Sequence, residues 1–422
     1  MKRKDDSSSR RDLLAGAALS AGASLIPGLK GTPQNPQAPV KAPAAAPPPA
    51  IPADPAAAPG GPTSAQSVRS LFENPARTPV GLQTGSSLTP LHQLTGTMTP
   101  NDLMFERHHS GVPVIDPAKH TLVVHGLVNR PMTFTLDDLK RFPSVSRIHF
   151  LECSGNGRAA YKDPKPEMTP QIVDGLTCNG EWTGVPLATV LQDVGVKASA
   201  RWFFAEGGDA AKMSRSIPID KAWDDALLVW AFNGEALRPS NGYPVRLFLP
   251  GFEGNTCVKW LRRIKLTDQP NMSKDETSKY TDPLIGGKAR QFSFLMDAKS
   301  VITSPSALAR VERGWHEISG IAWSGRGKIQ RVEVSTDGGA TWRGAELQGS
   351  PLPKAHTRFT YMWNWRGDAS TLMSRATDDT GYTQPTRAVF ESTRGKGTDY
   401  HFNYIRAWRV DDSGAVTFAG AA

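Results

Sequence analysis

A change of hydrophobic rhythm near residue 297 constrains the fold of this 422-residue chain more than any other feature. Before it, from about residue 85, strand-like runs alternate with helical ones. His120–Gly126, Arg147–Cys153, Trp202–Ala205, Leu227–Phe232 and Tyr243–Pro250 read as strands from their alternation and their β-branched and aromatic content. Leu136–Phe142, capped by Thr135, and Pro186–Val194, with Pro at its start, read as short helices. After residue 297 the apolar runs become short and evenly spaced: Trp315–Trp323, Ile329–Ser335, Arg358–Trp363 and Leu372–Asp378. Asp337-Gly338-Gly339, between VEVS and ATW, is a hairpin signal. The expectation is an α+β chain. A mixed α/β domain over 85–296 precedes an immunoglobulin-like β-sandwich over 297–415, with 416–422 as a tail.

The N-terminus reads as an address. A basic head, MKRKDDSSSRR, precedes the apolar run from Leu13 to Ile26, which is too short to cross about 30 Å of hydrocarbon. Ser9-Arg10-Arg11-Asp12-Leu13-Leu14 is of the twin-arginine export type, so residues 1–30 are expected to be a signal and the protein periplasmic. Residues 31–84 form a Pro/Ala-rich stretch expected to be a disordered linker. Residues 31–66 alone hold 11 of the 34 prolines, and such a segment buries too little apolar surface to offset its ordering entropy. No other stretch is apolar enough to span a membrane. The net charge of +9 comes without any Lys/Arg-rich run interleaved with aromatics, which argues against nucleic acid and suits an anionic substrate or acidic partner. Three cysteines exclude a disulfide framework.

Several routine chemistries are missing from the sequence: G-x-x-x-x-G-K-[ST], H-E-x-x-H, G-x-S-x-G and C-x-x-C-H. The last absence predicts no covalently attached haem in this chain. Gly155-Asn156-Gly157-Arg158-Ala159-Ala160 matches a dinucleotide fingerprint with Asp174 downstream. Its helix, however, would run into Lys162-Asp163-Pro164-Lys165-Pro166, which cannot continue one. On a strand His149 and Cys153 share a face while Glu152 does not, and a zinc site would need another His or Cys nearby, so His149 reads as a strand histidine. Cys153 is different, because it ends a strand where Ser-Gly-Asn-Gly opens a permissive loop. Such a position presents a side chain at a cleft, and a thiolate there is a soft ligand, although a lone cysteine more often reads as a buried structural thiol. Cys178 and Cys257 read as buried structural thiols.

Six motifs then occur in order: Phe105-Glu106-Arg107-His108-His109, Phe150-Leu151-Glu152-Cys153-Ser154-Gly155-Asn156, Ser216-Ile217-Pro218, Asn233-Gly234, Gly242-Tyr243-Pro244-Val245-Arg246 and Val258-Lys259-Trp260-Leu261. Over about residues 88–415 the chain resembles the sulfite oxidase family of molybdopterin enzymes, whose C-terminal sandwich is a dimerisation domain. The runs LTPLHQLTG, FERHHSGVPVIDPAKH, ETSKYTD and MDAKSVIT carry a likeness to the molybdenum subunits of Sox-type sulfane dehydrogenases within it. The resemblance implies one molybdenum–molybdopterin cofactor per chain, with Cys153 as the metal ligand. It implies Arg107 and Arg158 on the substrate oxyanion and Tyr280 as an active-site donor. It places Phe105, Arg107, His108, His109, Cys153, Asp209, Asn241, Arg246, Lys259 and Trp260 at the cofactor. Asn241 departs from the family, where many members carry His. A further family arginine near the sandwich corresponds to Arg358 or Arg366.

The activity so implied is a periplasmic molybdenum oxidoreductase oxidising sulfane sulfur on a carrier-protein cysteine, or sulfite. It passes electrons to a c-type cytochrome subunit, as a homodimer or as a heterotetramer with that cytochrome. Free sulfite oxidation, a sulfoxide reductase of the same fold and a non-catalytic exported binding protein remain as alternatives.

Overall fold

The computed structural model describes residues 59–61, 63–81, 85–284 and 286–421. The expected export signal and most of the linker lie outside the described residues. By its internal contacts the chain divides into Met1–Phe72 and Glu73–Ala422. Described residues of the first unit carry no helix or strand. Everything below concerns the second.

Its first half is built around two larger sheets. Strands β1 (Thr121–Gly126), β2 (Met132–Thr135), β3 (Val145–Glu152), β4 (Thr177–Pro186), β5 (Trp202–Gly207), β6 (Ser214–Pro218), β7 (Leu227–Phe232), β8 (Arg246–Phe248) and β9 (Leu261–Thr267) supply them. One sheet runs β3-β4-β7 with β8 also on β7; the other runs β2-β1-β9-β5-β6, antiparallel except where β1 meets β9. The apolar inner faces (Leu122, Val124, Phe203, Ala205, Ile217, Ile264) share one core with Trp182, Leu228 and Phe248. The expected helices form at Leu136–Arg141 and Leu187–Val194. The first is held by a reciprocal box in which Asp138 N–H donates to Thr135 Oγ1 (3.1 Å) and Thr135 N–H to Asp138 Oδ2 (2.9 Å).

The second half is the expected two-sheet sandwich. Strands β10 (Lys299–Ser304), β11 (Gly314–Trp323) and β13 (Thr357–Trp365) form one sheet. β12 (Ile329–Ser335), β14 (Ser370–Asp378), β15 (Arg406–Val410) and β16 (Val416–Ala421) form the other. Inner residues Ile318, Phe359, Val332, Leu372 and Trp408 meet in a second core. The hairpin after β12 forms as expected: Asp337 accepts from Ser335 Oγ (2.7 Å) and Thr341 N–H (2.9 Å), and Gly338 and Gly339 take φ of 71° and 93°.

Three expectations change. Residues 416–421 are not a tail but the edge strand β16, paired to β15, because Phe418 buries against Trp408 at 5.2 Å. The C-terminal part of the linker is ordered: Thr78–Val80 pairs with Ser86–Leu88, and Arg77 bridges Glu106 at 3.0 Å. The strand expected at Tyr243–Pro250 shrinks to Arg246–Phe248. Pro244 and Pro250 lack the N–H a ladder needs, and the segment is buried on both faces rather than one.

Candidate active site

Strand β3 ends at Glu152, and Cys153 is the first residue beyond it. The loop then turns tightly, with Cys153 N–H on Leu176 O (3.0 Å) and Asn156 N–H on Cys153 O (2.9 Å). Asn156 ties the turn down. Its amide donates to Glu152 Oε1 (3.0 Å) and its oxygen accepts from Leu176 N–H (2.9 Å). A second turn, Gly254–Thr256, presses onto the strand end. A Cβ on Gly254 would lie 2.7 Å from Glu152 O, so no larger residue fits there.

A cleft of about 690 Å³, mouth included, opens beside Cys153, within the size range of small-molecule sites. Separate loops furnish its walls: Phe105, Arg107, His108 and His109 from one; Asp209 after β5; Asn241 and Arg246 around the start of β8; Lys259 and Trp260 before β9; and Tyr280. Every sequence-predicted site residue except Arg158 therefore lines one cavity. Arg158 stands at its edge, with a 41% exposed side chain. Its Nε and Nη2 donate to Asp399 O (2.9 and 2.6 Å), and the guanidinium lies 5.0 Å from the Tyr400 ring centre. Neither Arg358 nor Arg366 joins the cleft. Arg358 donates to Gly96 O (2.8 Å) and Leu94 O (3.2 Å), and Arg366 is exposed on the sandwich. Cys178 and Cys257 are buried as expected, though Cys257 also forms part of the cleft wall. Asp174, the rejected nucleotide carboxylate, is buried against Arg406 and Lys299.

The cleft is lined by three basic side chains, Arg107, Arg246 and Lys259. Burial pushes the Cys153 thiol up, partly countered by the Gly155 N–H and by the charges of Arg107 and Arg158. Burial, helped by Arg246, brings the Lys259 ammonium down to about 7. Burial and the Arg107 charge bring His109 down to about 4, so it is neutral at pH 7. Neutral His109 Nε2 pairs with the Tyr280 hydroxyl at 2.9 Å, and burial raises that phenol well above its usual range. Arg246 is fully enclosed; its Nη1 donates to Asn241 O (3.0 Å), while its Nε has no acceptor among the described residues. Asn241 in turn donates to Phe105 O (3.1 Å). Trp260 Nε1 donates to Pro239 O (2.8 Å), and Lys259 Nζ sits 4.4 Å over its ring. Asp209 accepts from Ser110 Oγ (2.8 Å) and has room for further donors. His108 Nε2 pairs with Glu106 Oε1 at 2.8 Å.

Two families of models match the chain: the oxidoreductase molybdopterin binding domain over residues 109–274 and the Mo-co oxidoreductase dimerisation domain over 290–407. Sulfite oxidase of Gallus gallus is 30% identical over 312 residues, 68% of each chain. The chain belongs to the sulfite oxidase family. Mitochondrial sulfite oxidase of Rattus norvegicus is 31% identical over 315 residues, covering 68% of this chain and 57% of that one. An NADH nitrate reductase of Ulva prolifera is 30% identical over 360 residues, covering 76% and 42%. The chain spans about half the length of several of these curated relatives. Among solved structures, the sulfane dehydrogenase SoxCD from Paracoccus pantotrophus matches with a TM-score of 0.83 and 42% identity, over 86% of this chain and 96% of that one.

Membership of the sulfite oxidase family brings a molybdenum–molybdopterin cofactor, and the residues present fit it. Among the described residues no group of three or more His, Cys, Asp and Glu side chains is arranged to hold an ion. The orphaned Arg246 Nε and the depressed Lys259 both call for an anion such as a phosphate, and Asp209 suits amine donors.

Sequence reasoning missed the frame around the site. Lys299 bridges Glu152 (3.0 Å) and Asp174 (2.6 Å), Arg406 bridges Asp174 (3.1 Å), and Trp323 Nε1 donates to Glu152 Oε2 (2.7 Å), all of them buried. His401 lies between Glu253 (3.1 Å) and Asp297 (3.0 Å), and its N–H donates to Ser154 O (2.7 Å). Glu152 sits inside the FLECSGN run and could have been suspected. Nothing around His401 in sequence points to it.

Proposed function

We propose that this protein is a periplasmic molybdenum oxidoreductase that oxidises reduced sulfur, carried as sulfane on a protein cysteine or presented as sulfite, and passes the electrons to a c-type cytochrome. The observation that carries the reading is one buried cleft that combines the Cys153 thiol with Arg107, Arg246 and Lys259 and, among its lining residues, a single carboxylate, Asp209. Molybdenum bound in molybdopterin supplies oxo transfer to sulfur and accepts two electrons. Cys153 would hold the metal, and the rigid turn fixed by Asn156 and Gly254 keeps its sulfur in place. Arg246, Lys259, His108 and Asn241 would hold the phosphate end and Asp209 the pterin amines, with Phe105 and Trp260 closing the cleft over them. Arg107, beside the Tyr280 hydroxyl and neutral His109, would bind the anionic substrate through its two-pronged fork. The 42% identity to a sulfane dehydrogenase, against 30–33% to the sulfite oxidases, favours the carrier-bound substrate over free sulfite.

The test is metal analysis of the purified holoenzyme, followed by reduction of a c-type cytochrome with sulfite and with a persulfidated carrier protein. Molybdenum near one per chain and turnover with the carrier are expected. Cys153→Ser should abolish turnover while leaving the circular dichroism spectrum unchanged, since one metal ligand is lost and little packing. Wild-type turnover in that variant would remove Cys153 from the mechanism.

A further inference from the structure

Arg215 is the fully buried arginine that the reading above leaves without work. It is 0% exposed, and Nε, Nη1 and Nη2 all lack a hydrogen-bond acceptor among the described residues. A guanidinium carries five donors, and burying it unpaired is among the costlier things a fold can do. Its place in the sheet is unambiguous. β6 pairs antiparallel with β5, with Arg215 opposite Ala205 and Ile217 opposite Phe203. Ala205, Phe203 and Ile217 all point into the first core, so Arg215 is on the inward face. There it lies 5.1 Å from the ring centre of Tyr280, a residue of the cleft wall, and so directly behind that wall rather than on it. The turn Gly254–Thr256, whose Gly254 and Asn255 also line the cleft, packs against the same strand. The acids on the facing segment hydrogen-bond to other donors: Glu276 accepts from Ser216 Oγ (3.1 Å) and Asp275 from Ser214 N–H (3.2 Å), although the Arg215 charge still reaches Asp275.

We propose that Arg215 is a second anion-binding residue of the site, which with Arg107 grips the oxyanion end of the sulfur group from beneath Tyr280. This rests on the function proposed above. The ligand class is a sulfur oxyanion: pyramidal sulfite, tetrahedral sulfate or the oxidised end of a carrier-bound sulfur chain. Two cations bracketing one phenol would favour a group bearing several charged oxygens over a neutral sulfoxide, so Arg215 would set specificity as well as affinity. Because the buried guanidinium has no hydrogen-bond acceptor among the described residues, its removal should cost the fold little.

Sulfate, an inert tetrahedral anion, is the probe. The holoenzyme is titrated with sodium sulfate against sodium chloride at equal ionic strength, following the melting temperature and the heat of binding. Wild type should gain several degrees with sulfate. Arg215→Met should melt little lower than wild type without sulfate. It should bind sulfate about tenfold to a hundredfold more weakly, the loss expected for a charge-assisted hydrogen bond. Arg215→Lys should recover only part of the affinity. Unchanged sulfate affinity in Arg215→Met overturns the proposal. So does a large fall in its melting temperature without sulfate, which would make Arg215 structural. Loss of molybdenum and pterin from Arg215→Met also overturns it, by assigning the charge to the cofactor phosphate. Wild-type molybdenum content and turnover, read on the same preparations, test the function separately.

Discussion

Arg107 lines the cleft half-buried, whereas Arg158, five residues after Cys153, is 41% exposed with two of its nitrogens on the Asp399 carbonyl. Charge is worth more where water is excluded. Arg107→Gln is therefore expected to lower kcat/KM by roughly tenfold to a hundredfold, the range for one charge-assisted hydrogen bond. Arg158→Gln should lower it by about tenfold or less, because its charge reaches Cys153 from the edge. Steady-state kinetics at matched molybdenum content checks the order; a larger loss at Arg158 would place it on the substrate after all. His109, held near 4 by burial and Arg107, should contribute no ionisation to the rate profile between pH 5 and 8.

At the scale of elements, the Cys153 loop is pinned by charges from the sandwich. Lys299 on β10 neutralises Glu152 and Asp174 together, and Lys299→Met would leave two buried carboxylates short of a partner. A loss of about 3–5 kcal/mol is expected from denaturant unfolding. His401, lodged between Glu253 and Asp297, gives a pH dependence. Burial, its largest influence, and Arg394 push its pKa down, but the hydrogen bonds and charges of Asp297 and Glu253 outweigh them and the net shift is upward. The folded form thus holds its proton more tightly than the unfolded chain. The resulting stability is complete below the ordinary histidine value near 6.5 and is lost as pH rises through the raised value. Asp297, held well below the usual carboxylate range by the same contacts, works in the opposite sense: its contribution exists above about 4 and is lost in acid. Unfolding midpoints of wild type and His401→Phe between pH 5.5 and 9 should converge toward the alkaline end. Parallel curves would show that His401 is neutral throughout.

For the unit from Glu73 to Ala422 as a whole, the dimerisation-domain match and the outer face of the sandwich suggest how copies associate. Trp315 on β11 is 67% exposed and Met362 on the neighbouring β13 is 55% exposed. Large apolar side chains left in water on adjacent strands mark an association surface. The full chain should sediment at about twice 45.6 kDa. Trp315→Glu with Met362→Glu should shift it toward the monomer; unchanged association would put the interface elsewhere on the sandwich.

The sequence by itself determined the two-part fold, because period and turn chemistry are local. The capping box at Thr135, the Asp337-Gly338-Gly339 hairpin and the strand that ends at Cys153 all depend on residues a few positions apart. Through its family resemblance it also supplied most of the polar side chains of the cleft, though not Asn255 or the apolar Met104, Met213 and Val258. Alternation misled where prolines removed ladder donors at Tyr243–Pro250, and it went unread at Val416–Ala421, whose burial depends on Trp408 across the sheet. Only the tertiary structure decided which cations face the cleft. Arg158, Arg358 and Arg215 are alike as residue types, yet one sits at the edge, one binds loop carbonyls on the far segment and one is sealed beneath Tyr280. It also decided that Glu152, Lys299, Asp174, Arg406 and His401 form the frame around Cys153. Those partners lie up to 250 residues apart. What makes a buried charge tolerable is its neighbour in space, and the order of residues along the chain does not encode that neighbour.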